Sequence, residues 1–300
     1  MPGFAIDRDL FGYAAVGAIL TGLCLWPAWR FAIRSPQNLV KQNFLGRRIP
    51  VIGGLAMLPA GLLSASLLAA QASQAHDPVS LAQAQVFALA FASFGLLGLL
   101  DDIFGDRSTG GFRGHIGKLI TERRITTGLI KLVGGGIVAL AAAYEITVQQ
   151  TGTGGLALEI VRVAVYGALI ALSANTLNLV DLRPGRCLTL AAVILGVVVA
   201  VSIDSGASPS AGDFACALLG CVLVLAPFDR SGRIMLGDTG SNAIGAGMAV
   251  CAACLLSIWQ AAILTAVMSG FQIWCEKHSL TSFIESKPLL RSIDRKIGIR

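Results

Sequence analysis

The feature that most limits what this chain can become is a series of apolar runs, each about as long as a bilayer is thick, joined by short loops. A run of ~20 apolar residues pairs its own backbone groups as a helix and so crosses hydrocarbon without an orphaned amide or carbonyl. Nine runs qualify, at approximately 11–33, 51–70, 81–100, 128–148, 158–180, 187–203, 212–227, 240–257 and 259–276. Composition points the same way. Of 300 residues 55% are hydrophobic and 13% charged, with mean hydropathy +0.74, whereas soluble domains carry about 25% charged residues. The predicted fold is all-α, a polytopic membrane bundle of about nine transmembrane helices. No linker, repeat or low-complexity segment divides it, so one domain is expected over residues 1–300.

The loops carry a second pattern. Arg34, Lys41, Arg47 and Arg48 fill the first, while the loop at 71–80 has no Lys or Arg. The alternation continues: Arg107, Arg113, Lys118, Arg123 and Arg124, then none; Arg183 and Arg186, then none; Arg230 and Arg233, then none; then a tail with Lys277, Lys287, Arg291, Arg295, Lys296 and Arg300. Basic residues collect on the cytoplasmic side of membrane proteins, so the N-terminus is expected outside and the C-terminus in the cytoplasm of an inner cell membrane. The net charge of +6 is thereby spent on topology, and nucleic acid is not an expected partner. The start of the chain has no basic region ahead of its apolar run, since Arg8 lies between Asp7 and Asp9, and no removed signal peptide is expected. Most of the seven cysteines lie in apolar runs. Cys251 and Cys254 have CxxC spacing without a second ligand pair, so no metal or redox site is expected there.

The polar motifs all fall on the basic side. LLDDIFGD ends the third run with adjacent carboxylates, Asp101 and Asp102. Like charges side by side push their pKa values apart unless a cation neutralises them, so the pair either handles a metal or a proton, or caps the next element and stops the span. In NFLGRRIPVIGG, Arg47 and Arg48 are fixed donors, or topological anchors, ahead of Pro50; Gly53 and Gly54 let backbone approach a neighbour or a ligand. In NTLNLVD, Asn175, Asn178 and Asp181 recur at three-residue steps and would share one sector of a helix, for ligand recognition or for bonds to neighbouring helices. In MLGDTGS, Gly237, Asp238 and Gly240 form a flexible turn with a carboxylate, followed by Ser241 and Asn242 opening the eighth run. A helix start built from small residues receives phosphate, and an oxygen ligand such as Asp238 suits Mg²⁺ shared with a diphosphate; a simple N-cap is the alternative. Lys131, early in the fourth run, either contacts phosphate or snorkels. The Gly-rich basic segment 107–127 could cover a phosphate site, and His76, His115 and His278 read as surface residues. Transporters keep polar groups near the midplane. Collection at one face suits chemistry between a cytosolic substrate and a lipid head group.

These motifs resemble those of the polyprenyl-phosphate N-acetylhexosamine-1-phosphate transferases, in the family's order, from about Asn43 to Ser241. The IP..GG element looks like Ile49–Pro50 with Gly53–Gly54, the paired aspartates like Asp101 and Asp102, the N..N..D element like Asn175, Asn178 and Asp181, and the GD.GS element like Gly237, Asp238, Gly240 and Ser241. The resemblance implies a Mg²⁺-dependent enzyme, with Mn²⁺ an acceptable substitute. A polyprenyl phosphate such as undecaprenyl phosphate would attack the β-phosphate of a UDP-activated amino sugar, releasing UMP and leaving a lipid-linked sugar diphosphate for cell-wall or surface-polymer synthesis. By the same resemblance, Asp101, Asp102 and Asp238 would be catalytic and Asp238 and Asp181 would hold the metal. Asn175, Asn178, Asp181, Lys131, Arg47, Arg48 and Gly237 would contact substrate. A homodimer is compatible with this reading.

Several positions depart from the family pattern. Leu182 and RPGR follow Asp181, the Asn expected ahead of the GD element is missing near Asp229, and Met235 replaces an aromatic residue. The histidine-rich loop is reduced to Glu276–Lys277–His278, and a basic amphipathic tail replaces a further span. The alternative is therefore a catalytically inactive relative that binds lipid-linked intermediates or scaffolds an envelope complex.

Overall fold

A computed structural model describes residues 9–105, 126–150, 155–205 and 209–299. The basic segment expected to cover a phosphate site lies almost wholly outside the described residues, with Asp106 and His115. Each of the nine apolar runs is a helix: α1 (Asp9–Arg34), α3 (Gly53–Gln74), α4 (Pro78–Phe104), α5 (Thr127–Gln149), α6 (Leu156–Val180), α7 (Arg186–Ser205), α8 (Pro209–Arg230), α9 (Gly237–Leu255) and α10 (Ile258–Lys277). Short pieces complete the described chain: α2 (Pro36–Leu39), β1 (Val40–Gln42), β2 (Arg48–Pro50), and a C-terminal arm of α11 (Leu280–Ser286) and α12 (Pro288–Ile297). The hairpin β1–β2 is antiparallel, pairing Lys41 with Ile49. The helix starts carry ordinary signals. Asp77 accepts Val79 N–H and Ser80 N–H ahead of Pro78, and Ser257 and Gln260 form a reciprocal capping box.

Eight of these helices are long and apolar enough to cross a membrane. The ninth, α9, falls short on composition and has the opposite character from a lipid-facing helix. Fourteen of its residues, from Thr239 to Ala253, are buried. It packs against α3, α4, α6, α7 and α8, and its small residues let those neighbours come close, as helices do in a bilayer where the hydrophobic effect does not drive packing. Aromatic side chains fill the space beyond: Phe87 stacks on Phe214 at 4.4 Å between centroids and on Phe91 at 5.5 Å. The outward faces of the other helices carry exposed apolar side chains, among them Ile137 and Leu140 on α5, Val193 and Val197 on α7, and Trp259, Ile263 and Val267 on α10. That is the surface a bilayer solvates.

Sequence-distant ends meet at one face of the bundle. Met235 N–H donates to Pro50 O (2.9 Å), Gly53 N–H to Met235 O (3.0 Å) and Gly54 N–H to Leu236 O (2.9 Å), with Val51 and Met235 forming a parallel bridge. The segment after β2 is thus zipped to the segment before α9. Gly54 is required here: a Cβ would run into the backbone at Gly240 and into Thr239. Of the two uses open to that glycine, close approach to a neighbour is the one realised.

Candidate active site

A cavity of about 710 Å³ opens at this face, lined by residues of five separate segments, including Lys41, Asp101, Asp102, Asn178, Asp181, Asp229, Gly237 and Asp238. Its floor is the start of α9. Gly237 has φ +75°, a conformation other residues resist, and a Cβ there would also collide with Val51 and the Asp102 carboxylate. The turn therefore needs glycine, and it delivers Asp238 into the first helical turn.

No side chain of its own segment caps α9. Asp102 does so from α4: Oδ1 accepts Asp238 N–H (3.2 Å), and Oδ2 accepts Thr239 N–H (2.9 Å) and Thr239 Oγ1–H (2.8 Å). Lys41 Nζ approaches the same carboxylate at 3.3 Å. A buried anion at a helix N-terminus is stabilised by the free amides and the dipole together. The paired aspartates thus divide. Asp102, 5% exposed, holds α9 in place, so it does cap a helix, but one that begins 135 residues later in the chain. Asp101 is half-buried, accepts Thr127 Oγ1–H at 2.5 Å, and lies within hydrogen-bond reach of the Asp238 side chain.

Asp238 Oδ2 is met by Lys131 Nζ at 2.6 Å and Asn178 Nδ2 at 3.1 Å. Asn178 Oδ1 lies 3.2 Å from Ser241 Oγ, and the Asp238 carboxylate, which only accepts, sets the amide with its NH2 toward Asp238. Lys131 therefore pairs with a carboxylate at the cavity floor. Asp181, just past the end of α6, takes the Gly237 N–H. Part of Asp181 faces the cavity, yet bulk water scarcely reaches its carboxyl. That burial first, and then the carboxylates of Asp229, Asp238 and Asp102, push its pKa well above the usual range. Asp229 is 4% exposed and accepts Gly185 N–H at 2.6 Å.

The remaining expected contacts lie elsewhere. Asn175 is exposed and donates to Gln272 Oε1 at 2.8 Å, away from the cavity. Three-residue steps lag the helix by about 60° each, enough to turn Asn175 toward α10 while Asn178 faces α9. Arg47 and Arg48 are exposed on the hairpin and do not line the cavity. Three cavity residues went unread in sequence. Lys41 looked like one more topological charge. Asp229 registered only as a missing Asn. Phe44 lies under the Arg183 guanidinium, 4.4 Å from ring centroid to Cζ, and no local signal marks it.

The donor set bears on a divalent ion. Among the described residues no group of three His, Cys, Asp or Glu is arranged as a ready cage, and the cysteines are free thiols. Mg²⁺, however, commonly takes only one or two carboxylates and completes its shell with phosphate and water. Asp101 and Asp238 stand within hydrogen-bond reach, and Asp181 is surrounded by carboxylates. That arrangement calls for added positive charge and offers only hard oxygen donors, so the residues fit such an ion.

A sequence model described as glycosyl transferase family 4 matches residues 84–257, more than half of the chain, and spans the paired aspartates, Lys131, the NTLNLVD segment and the start of α9. No curated protein matches the chain.

Proposed function

The chain belongs to glycosyl transferase family 4, polyprenyl-phosphate sugar-1-phosphate transferases, and from that premise we propose that it moves an amino-sugar-1-phosphate from a UDP-sugar to a polyprenyl phosphate such as undecaprenyl phosphate at the cytoplasmic face of the inner membrane. An oxygen of the lipid phosphate attacks the β-phosphorus of the UDP-sugar, the bond from that phosphorus to its bridging oxygen breaks, and UMP leaves with the electron pair. The observation that carries this reading is convergence: Asp101, Asp102, Asn178, Asp181, Gly237 and Asp238, from three remote segments, line one cavity at one end of the bundle.

Phosphoryl transfer asks a protein mainly for positioning and for neutralisation of charge. Asp238 and Asp181 would hold Mg²⁺, which when bound supplies charge to the diphosphate. Lys131 and Lys41 bring ammonium groups to the floor, where an incoming phosphate can share them with Asp238 and Asp102. Asp101 is the carboxylate best placed to orient the lipid phosphate or take its proton, because it reaches the cavity and is bonded on one side to Thr127. Asp102 serves by holding the α9 amides in register. Asn178 keeps Asp238 turned toward the cavity.

The test is UMP release from a panel of UDP-amino sugars by the purified protein with undecaprenyl phosphate and Mg²⁺. Turnover with at least one sugar, removed by Asp238→Asn, supports the reading. No turnover with any sugar by a folded protein overturns it in favour of a lipid-intermediate binding or scaffolding role.

A further inference from the structure

The C-terminal arm is built into the site face. Arg186, at the start of α7, makes a two-pronged ion pair with Asp294 of α12, Nε to Oδ1 at 2.7 Å and Nη2 to Oδ2 at 2.9 Å, and its Nη1 donates to Thr281 Oγ1 at 3.0 Å. Both charged side chains are under a tenth exposed. Arg230 Nη2 donates to Lys296 O (2.9 Å) and Ile299 N–H to Arg230 O (3.1 Å). Gly185, φ +83°, has room for no Cβ because Ile297 lies against it. The arm thus grips the turn between Asp181 and Arg186 and the end of α8 next to Asp229, two parts of the cavity wall.

While one side of α12 is clamped, another is bare. Leu289, Leu290 and Ile293 are 73%, 37% and 48% exposed, and Leu289 and Ile293 are one helical turn apart on the same side. Lys296 lies beside them and Arg291 and Arg295 on the opposite side of the helix, all three exposed and without an ion pair among the described residues. Between α12 and the end of α8 lies an open hollow of about 900 Å³ lined by Pro227, Arg230, Ser231, Arg295, Gly298 and Ile299, which offers two guanidinium groups and a hydroxyl. Trp274, near the end of α10, packs edge-on against Phe283 of α11 at 5.1 Å, an aromatic pair of the kind found at the level of lipid head groups.

We propose that α12 is an interfacial helix. Its Leu289, Leu290 and Ile293 side enters the bilayer boundary, Lys296 beside it meets anionic head groups, Arg291 and Arg295 on the far side add attraction to the negative surface, and the Arg186–Asp294 pair ties that contact to the turn bearing Asp181. A basic amphipathic helix with one apolar side suits a negatively charged lipid surface better than water. The tie to Asp181 matters for turnover only if the cavity is the active site; the lipid contact does not depend on that reading.

The test is hydrogen–deuterium exchange on the full chain in nanodiscs of phosphatidylcholine alone or with phosphatidylglycerol. Backbone amides of 288–297 are expected to exchange roughly tenfold more slowly in the anionic discs, and those of 182–186 to slow with them. Leu289→Ser with Ile293→Ser, or Arg291→Gln with Arg295→Gln, removes the slowing while α9 stays protected, showing an intact fold. Asp294→Asn leaves the slowing in α12 and abolishes it in 182–186. Equal exchange of α12 in both lipids overturns the proposal. So does slowing that tracks two chains per disc instead of lipid charge, which assigns the face to a second copy. If 182–186 fails to follow α12, the tie is overturned. Exchange reads no turnover, so its outcome is independent of the transferase assay.

Discussion

The two walls of the cavity hold their carboxylates in opposite ways. On the α9 wall two carboxylates have positive counterparts: Asp102 has the helix amides and Lys41, and Asp238 has Lys131 with an amide from Asn178. On the facing wall Asp181 and Asp229 stand near one another, supported by the backbone N–H groups of Gly237 and Gly185. One wall is set by ion pairs within the bundle. The other is set by backbone turns and by an arm from the far end of the chain. Preorganised charge belongs to the first wall, and demand for charge to the second.

The largest effect that could break this contrast is at its centre. Asp238→Asn is expected to lower UMP release by about 10³-fold, and Lys131→Ala by roughly 10²-fold, with the thermal midpoint in detergent little changed. Comparable loss from Asn175→Ala would show that the boundary of the site is drawn wrongly. Next comes the split within the aspartate pair. Asp102→Ala strips the cap from α9 and strands Lys41, and should destabilise the protein by about 2–4 kcal/mol. Asp101→Asn should leave the melting midpoint in place and reduce turnover. Equal melting of the two variants would dissolve the distinction.

A smaller effect concerns the second wall. The Asp181 pKa is raised, so its contribution to stability is full below the unfolded value, near 3.9, and is lost as pH rises through the folded value. Without Mg²⁺ the melting midpoint should therefore fall as pH is raised from about 4 toward neutrality, and Asp181→Asn, a permanent mimic of the protonated acid, should flatten that slope. An unchanged slope in the variant would place the titration elsewhere. The smallest effect lies at the opposite face: Asp77→Ala should cost about 1 kcal/mol by uncapping α4 and leave UMP release untouched.

Much of this was legible in the sequence, and the limits have physical causes. Hydropathy finds every spanning helix, because a bilayer enforces helix wherever apolar residues run long enough. The α9 wall is also legible, since Asp101, Asp102, Gly237 and Asp238 sit at the ends of apolar runs where charge and glycine stand out. The hairpin between α2 and α3 was not foreseen, because three-residue strands carry no periodicity to read. Lys41 joins the site through that hairpin and so was invisible among the other loop cations. Asp229 and Arg186 owe their environment to Gly185 and Asp294, contacts 44 and 108 residues apart that no local pattern encodes. Asn175 shows the converse error: a shared spacing suggested a shared face, and the 3.6-residue turn separated it from Asn178.

The composition of α9 has a consequence for how the protein is made. It is the helix least able to leave water on its own account, and it is synthesised after seven of the helices that surround it or complete the bundle. Chains fold from the N-terminus as they emerge, so the berth between α3, α4, α6 and α8 exists before its occupant arrives. The carboxylate of Asp102 and the strand at Pro50 wait there as a mooring. Insertion of the segment that carries Gly237 and Asp238 is thus made conditional on correct assembly of the preceding ones, and a chain misassembled earlier would leave that segment stranded on the wrong side of the lipid.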